Sequence, residues 1–463
     1  MGKGYILFNG VHGSGGYLQE PAPFDTIAPG LASQLRKRRL VYRSLEAGRD
    51  PRDLSRAGWG VLFGPGVGDA VKEALAPLLR HRSAAATRRE NLYREHVYRP
   101  GTSKAKFLHA QGAFPGPVDP RRVPYYLLLV GDPQEIPFSF QHQLGVQYAV
   151  GRLCFETPEE YARYATTVVE LETQSEARPR EAVFFGPWRD PTTRLCAERL
   201  VRPLCGELAD NGFGWKTRYR IGDYAHKGSL ANLLGGPETP GLLFTASHGL
   251  GLWNDDPRQR SLQGSLLCQD WPGPGNGIEL NHIFNAEDVP DDASVRGLVS
   301  FHFACYSAGT PQWDDFSHHL NGERKLAAPE GFVARLPQRL LGHPKGSALA
   351  VIGHIERAWL SSFLWEGQGP NLSTFKSALL RLMEGYPVGA AMEFFGSRFA
   401  EIATEITADR EAVSDEPAGD DELATLWMAH NDARNYVVLG DPAVRIPGTS
   451  ASPYISPGPV WRG

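Results

Sequence analysis

The sequence has few cysteines, and their spacing is typical of neither a disulfide framework nor a zinc site. There are five among 463 residues, an odd number without a Cys-x-x-Cys pair. Neither a disulfide framework nor a zinc ribbon is therefore indicated. This usage fits a reducing compartment, and we expect a cytoplasmic protein. The five are Cys154, Cys196, Cys205, Cys268 and Cys305.

Long apolar runs and an excess of charge of one sign are also missing. No stretch approaches the roughly 20 apolar residues of a membrane span. The apolar run at the N-terminus is too short for a signal peptide and lacks a basic region and a cleavage site. A formal net charge of −4 gives no general field for nucleic acid or an anionic membrane. We therefore expect neither a membrane span nor a nucleic-acid partner.

Glycine and proline are plentiful, with 51 and 36 residues respectively. Both residues break helices and strands, so the composition indicates short elements joined by many tight loops. A hydrophobic fraction of 41% and a charged fraction of 22% are ordinary for a globular protein. The chain is too long for one small core, and we expect two α/β subdomains.

Strand-like and helix-like patterns alternate from about residue 180. This order predicts βαβ units, in which helices flank a mostly parallel sheet. Earlier apolar runs at 4–10 and 125–132 suit further buried strands of the same sheet. The predicted strands of the regular part are 181–187, 215–222, 241–249, 295–305 and 347–353, and the predicted helices are 192–212, 226–235 and 330–342.

Two of the predicted strands end on residues that carry chemistry. The run GLLFTAS leads into His248-Gly249, and LVSFHFA leads into Cys305. If the strands are parallel neighbours, their carboxyl ends meet at one edge of the sheet, and the imidazole and the thiol lie together. A histidine can take the proton of a thiol and return it to a leaving amine. The N–H groups of Gly249 and Cys305 would then stabilise the oxyanion.

Other readings of these residues stay open at this point. A cysteine at the end of a strand is more often packing than catalysis. A metal site is a second interpretation. No pair of the candidate ligands has the familiar zinc spacing, and side chains alternate along a strand, which turns His302 away from Cys305. The glycine-rich GVHGSGGY lacks the lysine of a phosphate-binding loop. The candidate metal ligands are His248, Cys268, His282, His302 and Cys305.

The conjunction of the two strand ends, His-Gly and then Ala-Cys, resembles the caspase and gingipain group of cysteine peptidases. The closer resemblance is to the gingipain-like peptidases, and the caspase-like CHAT proteases of bacteria are near neighbours. YLLLVGDPQEIPF (126–138), the following VGRLCFETPEEYARYATTVVELE (150–172) and YVVLGDPAVRI (436–446) resemble further segments of that family. Together these segments cover about residues 120 to 447.

The resemblance implies a cysteine endopeptidase that needs no cofactor and no metal. It assigns Cys305 as the nucleophile and His248 as the general acid and base. An orienting acid of the family would fall within 138–150, where FSFQHQLGVQYAV contains no carboxylate, so we expect a catalytic dyad. Candidate substrate-binding residues follow the cysteine, with Glu356 and Arg357 at the rim. These candidates are Asp314 and Asp315 for a basic side chain, and Trp313 and Trp359 for an apolar pocket.

The resemblance also suggests how the chain is divided and what it acts on. We expect an N-terminal α/β and loop-rich region at 1–120, a first peptidase segment at 121–180, a caspase-like catalytic subdomain at 181–447 and an irregular tail at 448–463. The basic run 80–106 and the acidic run 408–422 read as exposed segments where activating cleavage can occur. The expected substrate is a protein partner, for example a gasdermin-like pore former in antiphage defence. The alternative is an inert scaffold for protein binding, and the oligomeric state is left open.

Overall fold

The computed structural model describes nine stretches of the chain. They are residues 5–6, 10–16, 22–23, 45–46, 48–174, 178–316, 325–365, 369–411 and 420–449. Most of the acidic loop predicted at 408–422 and nearly all of the tail at 448–463 lie outside these stretches. Within them, no helix is both long and apolar enough to pass through a lipid bilayer.

The strands form one large sheet and three small ones. The large sheet has ten strands in the order β5-β4-β6-β7-β18-β17-β14-β10-β8-β9. The strands are β1 Tyr5–Ile6, β2 Gly10–His12, β3 Ala22–Pro23, β4 Trp59–Phe63, β5 Tyr93–Val97, β6 Tyr126–Val130, β7 Ala149–Leu153, β8 Glu181–Gly186, β9 Lys216–Ile221, β10 Leu242–Ala246, β11 Gly249–Gly251, β12 Leu266–Leu267, β13 Ile283–Phe284, β14 Val299–Phe303, β15 Gly309–Thr310, β16 Phe332–Val333, β17 Ala350–His354 and β18 Tyr436–Gly440.

Helices cover the large sheet, as the alternating sequence pattern predicted. One π-helical turn, Ala197–Val201, joins two of them. The α-helices are α1 Leu54–Ala57, α2 Asp69–Ala86, α3 Lys104–Ala110, α4 Phe138–Gly145, α5 Pro158–Thr173, α6 Pro191–Cys196, α7 Arg202–Glu207, α8 Lys227–Leu233, α9 Gln259–Leu262, α10 Arg335–Leu341, α11 Ser373–Glu384, α12 Val388–Ala391, α13 Glu393–Glu411 and α14 Asp420–Arg434.

The central strands of the large sheet are buried along their whole length. Every residue of β4, β6, β7, β10, β14, β17 and β18 is buried, which is why most of their residues are apolar. All neighbouring strands are parallel except β17 and β18, which pair antiparallel. The predicted α/β fold with a mostly parallel sheet is confirmed.

Strand β18 joins two halves of the sheet that are far apart in sequence. It pairs with β7 on one side and with β17 on the other. Immediately after β18, the carboxylate of Asp441 accepts hydrogen bonds from Trp59 Nε1 (2.9 Å) and Arg82 Nε (2.6 Å). Arg82 also binds Glu172 through both terminal nitrogens at 2.6 Å. The Leu-Gly-Asp segment therefore fastens the C-terminal strand to the N-terminal half.

The Gly-Arg motif of strand β7, Gly151-Arg152, has a structural role. Arg152 on β7 is fully buried, and its guanidinium donates to Gly131 O (2.8 Å), Ile136 O (2.6 Å) and Gln141 Oε1 (2.8 Å). These three acceptors are neutral, and burial lowers the pKa of Arg152 to about 10. The arginine thus holds the loop that follows β6 against helix α4.

The prediction for the first apolar run is wrong. Residues 4–10 were expected to form a strand of the large sheet, but β1 pairs antiparallel with β3 in a separate two-stranded sheet. Strand β2, at the end of that run, joins the small sheet β13-β12-β11-β2. A short apolar run fixes neither the partner of a strand nor its direction, because both depend on distant segments.

Candidate active site

The strands that precede His248 and Cys305 are neighbours. Strands β10 and β14 are parallel, and their last registered pair is Ala246 with Phe303. The pairing continues one step further, since Ser247 N donates to Phe303 O at 3.2 Å. Two residues beyond the last registered pair, the same spacing brings His248 level with Cys305. The predicted adjacency of the two strands is confirmed, and both residues lie at the carboxyl edge of the sheet.

Gly249 is required by how closely its backbone approaches Cys305. A Cβ atom built on Gly249 would lie 1.8 Å from Cys305 O and 2.9 Å from Cys305 N. No side chain fits in that space, so the two strand ends are packed backbone against backbone. The close neighbour of Gly249 is therefore the backbone of Cys305. The oxyanion role of the Gly249 and Cys305 N–H groups stays a prediction.

An acid absent from the sequence prediction contacts the histidine. The carboxylate of Asp190 lies 2.9 Å from His248 Nε2 through its Oδ2 atom, and both side chains are completely buried. Asp190 follows β8, which is the other parallel neighbour of β10. The three residues Asp190, His248 and Cys305 therefore come from three adjacent strands at one edge of the sheet.

The position of Asp190 is fixed by its role as an N-cap. Its Oδ1 accepts hydrogen bonds from Thr192 N (2.8 Å) and Thr193 N (3.2 Å), and Pro191 occupies the first turn of α6. Thr193 Oγ1 donates to Asp190 Oδ2 at 2.9 Å. The sequence Asp-Pro-Thr-Thr after a strand is a helix-start signal, and this signal could have located the residue.

Electrostatics keep Asp190 ionised in spite of its burial. Burial would raise the pKa of this carboxyl, but His248 and the hydroxyl and amide of Thr193 outweigh it and lower the pKa to about 2. A carboxylate bound to Nε2 orients the imidazole and stabilises its protonated form. Proton exchange with a thiol would then involve Nδ1, on the other side of the ring.

The thiol of Cys305 is closed off in this conformation. The residue is fully buried, and Ala358 N donates to its sulfur at 3.2 Å. Burial raises the pKa of the thiol far above its ordinary value, although the Ala358 N–H and the charge of Arg357 act in the opposite direction. The thiol is therefore protonated in the conformation described, and the segment after β17 covers it.

The residue after the cysteine has a strained backbone. Tyr306 has a φ of 57° and is the one non-glycine residue with positive φ among those described. Its N–H donates to Glu356 O at 3.0 Å, which ties the turn after β14 to the segment after β17. Strain of this kind is retained where the surrounding structure enforces it, and it is enriched at active sites.

Two charged residues predicted at the rim lie under the surface beside the thiol. Glu356 is fully buried, and burial raises its pKa to about 7 against the influence of Arg357. The guanidinium of Arg357 is paired with Glu356 and with Asp314, and it lies 4.9 Å above the ring of Phe316. The segment that covers Cys305 is thus held by a buried ionic cluster.

The four predicted substrate-binding residues are not presented together as an open pocket. Asp314 is paired with Arg357, and Asp315 is paired with Arg434, so an arginine opposes each carboxylate. Trp359 is only 2% exposed and packs against Phe316 with the ring centroids 5.2 Å apart. Trp313 is half-buried and forms an isolated bridge with Leu326. Their role in specificity stays a prediction.

The candidate metal ligands point in different directions. His302 Nδ1 lies 2.8 Å from Thr245 Oγ1 inside the sheet, and burial lowers its pKa to about 3. Cys268 and His282 are paired through their backbones in the small sheet, where Cys268 N donates to His282 O at 2.8 Å. Among the described residues, no three such side chains converge as a metal site would require.

Comparison with known proteins was made at the levels of sequence and fold. No family model and no curated protein matches the sequence. Among solved structures, the chain is similar to a protease, with 12% identity over 84% of this chain and 78% of the other and a TM-score of 0.49. It is also similar to the Arg-specific cysteine proteinase gingipain R, with 13% identity over 88% and 80% of the chains and a TM-score of 0.48.

A third solved structure is a complex of the pro- and mature domains of RgpB from Porphyromonas gingivalis. It has 12% identity over 84% of this chain and 80% of the other, with a TM-score of 0.42. Gingipains are the group that the sequence motifs resemble. At these identities and TM-scores, roles for individual residues have to be argued from this chain's own site.

Proposed function

We propose that the chain is a cysteine endopeptidase in which Cys305 is the nucleophile, His248 the general acid and base, and Asp190 the residue that positions the histidine. The observation that carries the proposal is the buried pair of His248 Nε2 and Asp190 Oδ2, 2.9 Å apart, on the strand beside Cys305. A buried carboxylate that orients a histidine next to a thiol is the arrangement that nucleophilic catalysis needs.

The reaction would proceed through an acyl-enzyme. His248 takes the proton of the thiol, and the thiolate sulfur attacks the carbon of the peptide carbonyl. The C–N bond breaks as the protonated imidazole gives its proton to the leaving amine. Water then attacks the thioester, His248 accepts a proton from it, and the C–S bond breaks to release the acid and restore the thiol.

We infer in addition that the enzyme is regulated. The thiol is buried and bonded to Ala358 N, so a substrate carbonyl reaches it only after the segment after β17 has moved. A protease with a closed resting state suits the cleavage of one or a few protein partners, such as a gasdermin-like pore former in antiphage defence. A cytoplasmic location fits the five free thiols. Indiscriminate degradation of unfolded proteins by the purified enzyme would contradict this inference.

An inert scaffold is the second candidate, and the same burial of Cys305 favours it. The two functions differ in what the thiol does when the segment over it opens. A scaffold has no use for the Asp190–His248 pair, whereas a peptidase depends on it.

The test is cleavage of a fluorogenic peptide library with varied P1 residues by the wild type, by Cys305→Ala and by Cys268→Ala. Cys268 is a buried thiol in the small sheet and serves as the matched control. We expect Cys305→Ala to abolish cleavage and Cys268→Ala to retain it. In parallel, iodoacetamide labelling is mapped across all five cysteines. Failure of the wild type to cleave, with Cys305 labelled no faster than the other buried thiols, would favour the scaffold.

A further inference from the structure

A cavity without a role in the proposed reaction lies on the far side of β17. It is bounded by helix α4, strands β7 and β18 and helices α12–α14, and it is partly open to solvent. Much of its wall is apolar, and its polar residues include Gln141, His142, Glu393 and Arg434. The apolar lining includes Val146, Val150, Met392, Phe395, Phe399 and Tyr436.

The amide of Gln141 is a donor without an acceptor. The residue is 3% exposed, and its Oε1 accepts from Arg152 Nε at 2.8 Å, which fixes the orientation of the amide. The Nε2 atom therefore lies on the side away from Arg152, and it has no hydrogen-bond partner among the described residues. A buried N–H group without an acceptor is costly, and native structures usually satisfy such a group.

Two further side-chain nitrogens, of residues on the cavity wall, also lack a hydrogen-bond partner among the described residues. Neither His142 Nε2 nor Arg434 Nε has a hydrogen-bond partner within the part of the chain that the structure describes. Arg434 is paired with Asp315 through a terminal nitrogen, so its Nε is a separate donor. All three nitrogens belong to residues that line this cavity.

The charges around the cavity favour an anion. Burial holds the pKa of His142 well below its ordinary value, and the nearby Arg434, His354 and Arg152 lower it further, which indicates a positive potential at this ring. The carboxylate of Glu393 is already neutralised, because it lies 2.9 Å from Arg381 Nη1 and accepts a hydrogen bond from Tyr125.

We propose that this cavity binds a small organic carboxylate, whose oxygens accept hydrogen bonds from Gln141 Nε2 and Arg434 and whose apolar part packs on Phe395 and Phe399. A monovalent head suits the site, since Arg434 is shared with Asp315 and Arg152 acts only through Gln141. The apolar lining favours a carboxylate with a hydrocarbon part over a bare inorganic anion. This site does not depend on the proposed peptidase activity.

The test is calorimetric titration of the full chain with benzoate, and with benzamide as the uncharged analogue. Gln141→Glu keeps the oxygen that binds Arg152 and replaces the donor with a negative charge. Gln143→Glu places the same charge on an exposed position of the same helix, where the side-chain oxygen still accepts from Lys104 N. We expect saturable binding of benzoate, at least tenfold weaker binding of benzamide, and a loss of at least tenfold in Gln141→Glu but less than twofold in Gln143→Glu.

Three results would overturn the proposal. They are the absence of saturable benzoate binding, equal affinity for benzamide, and equal weakening in the two glutamate variants. Arg434→Gln is a second variant that removes the charge and keeps hydrogen-bonding groups, and a loss of less than twofold in it would also contradict the site. The comparison of benzoate with benzamide uses the wild type and does not depend on how the variants fold.

Discussion

Replacement of Asp190 by asparagine tests the electrostatics of the candidate site directly. Asparagine is also a good N-cap, so the start of α6 is retained while the charge opposite His248 is removed. The pKa of Asp190 falls from 3.8 to about 2 in the folded protein. That difference corresponds to about 2.4 kcal/mol in favour of the charged form. We expect Asp190→Asn to lower the free energy of unfolding by about 2 kcal/mol at pH 7.

The lowered pKa of Asp190 also predicts how its contribution to stability changes with pH. Because the folded-state pKa of Asp190 is lowered, its contribution is fully present above the unfolded pKa and is lost as the pH falls from 3.8 towards 2. Urea unfolding of wild type and variant at pH 7, 5 and 3 should therefore show a smaller gap at pH 3 than at pH 5.

The matched control is Asp53→Asn, which changes another aspartate N-cap. Asp53 Oδ1 accepts from Ser55 N at 3.0 Å at the start of α1, and no histidine of the described residues is bonded to it. We expect this change to cost less than about 1 kcal/mol. If the two variants lost equal stability at pH 7, or if the gap for Asp190→Asn did not shrink at pH 3, the electrostatic account would be refuted. In the peptidase assay we expect kcat to fall at least about 100-fold in Asp190→Asn, with a smaller change in KM.

Two further substitutions test how the sheet is held together. Asp441→Ala leaves Arg82 Nε and Trp59 Nε1 without an acceptor, and we expect a loss of about 3 kcal/mol or more in urea unfolding. Gly249→Ala places a Cβ 1.8 Å from Cys305 O, and we expect a fall of at least about 2 kcal/mol or a failure to fold, measured by thermal unfolding.

The controls for these two changes come from sites without such contacts. Asp69 forms an exposed pair with Lys72 at 3.3 Å, so Asp69→Ala should change stability by less than about 0.5 kcal/mol. Gly206 lies in helix α7 with open space around it, so Gly206→Ala should be neutral or slightly stabilising. If a variant and its control lost a similar amount of stability, the contact assigned to the residue changed in the variant would be contradicted.

The large sheet was predictable because its strands are buried on both faces. Runs such as those of β6, β10, β14 and β17 are mostly apolar, and turn residues close them, so the apolar runs and the residues that break them located these strands. Strand β4 was missed although it is a buried apolar run, and strand β5 was missed as well. Strand β5 lies at the edge of the sheet, its side chains are partly exposed, and its sequence Tyr-Arg-Glu-His-Val has no apolar run.

The candidate site was predictable only in part. His248 and Cys305 stand at the ends of consecutive predicted strands, and those strands are neighbours in the sheet, so local sequence was enough to place them at one edge. Asp190 was missed because its partnership with His248 depends on the order of strands, which places β8 beside β10, and order is set by packing between distant segments. The family resemblance implied an acid within residues 138–150, but those residues form helix α4 and the start of β7.

The late strand β18 has a consequence for how the chain folds during synthesis. The half of the sheet built from residues 59–153 ends at β7, and the half built from residues 181–354 ends at β17. Both strands keep an unpaired edge until residues 436–440 emerge from the ribosome and enter between them. Open strand edges invite pairing with other chains, so the nascent protein is most exposed to aggregation between the emergence of β17 and that of β18. The ion pair between Asp441 and Arg82 can form at the same time, because Asp441 directly follows β18, the strand that completes the sheet.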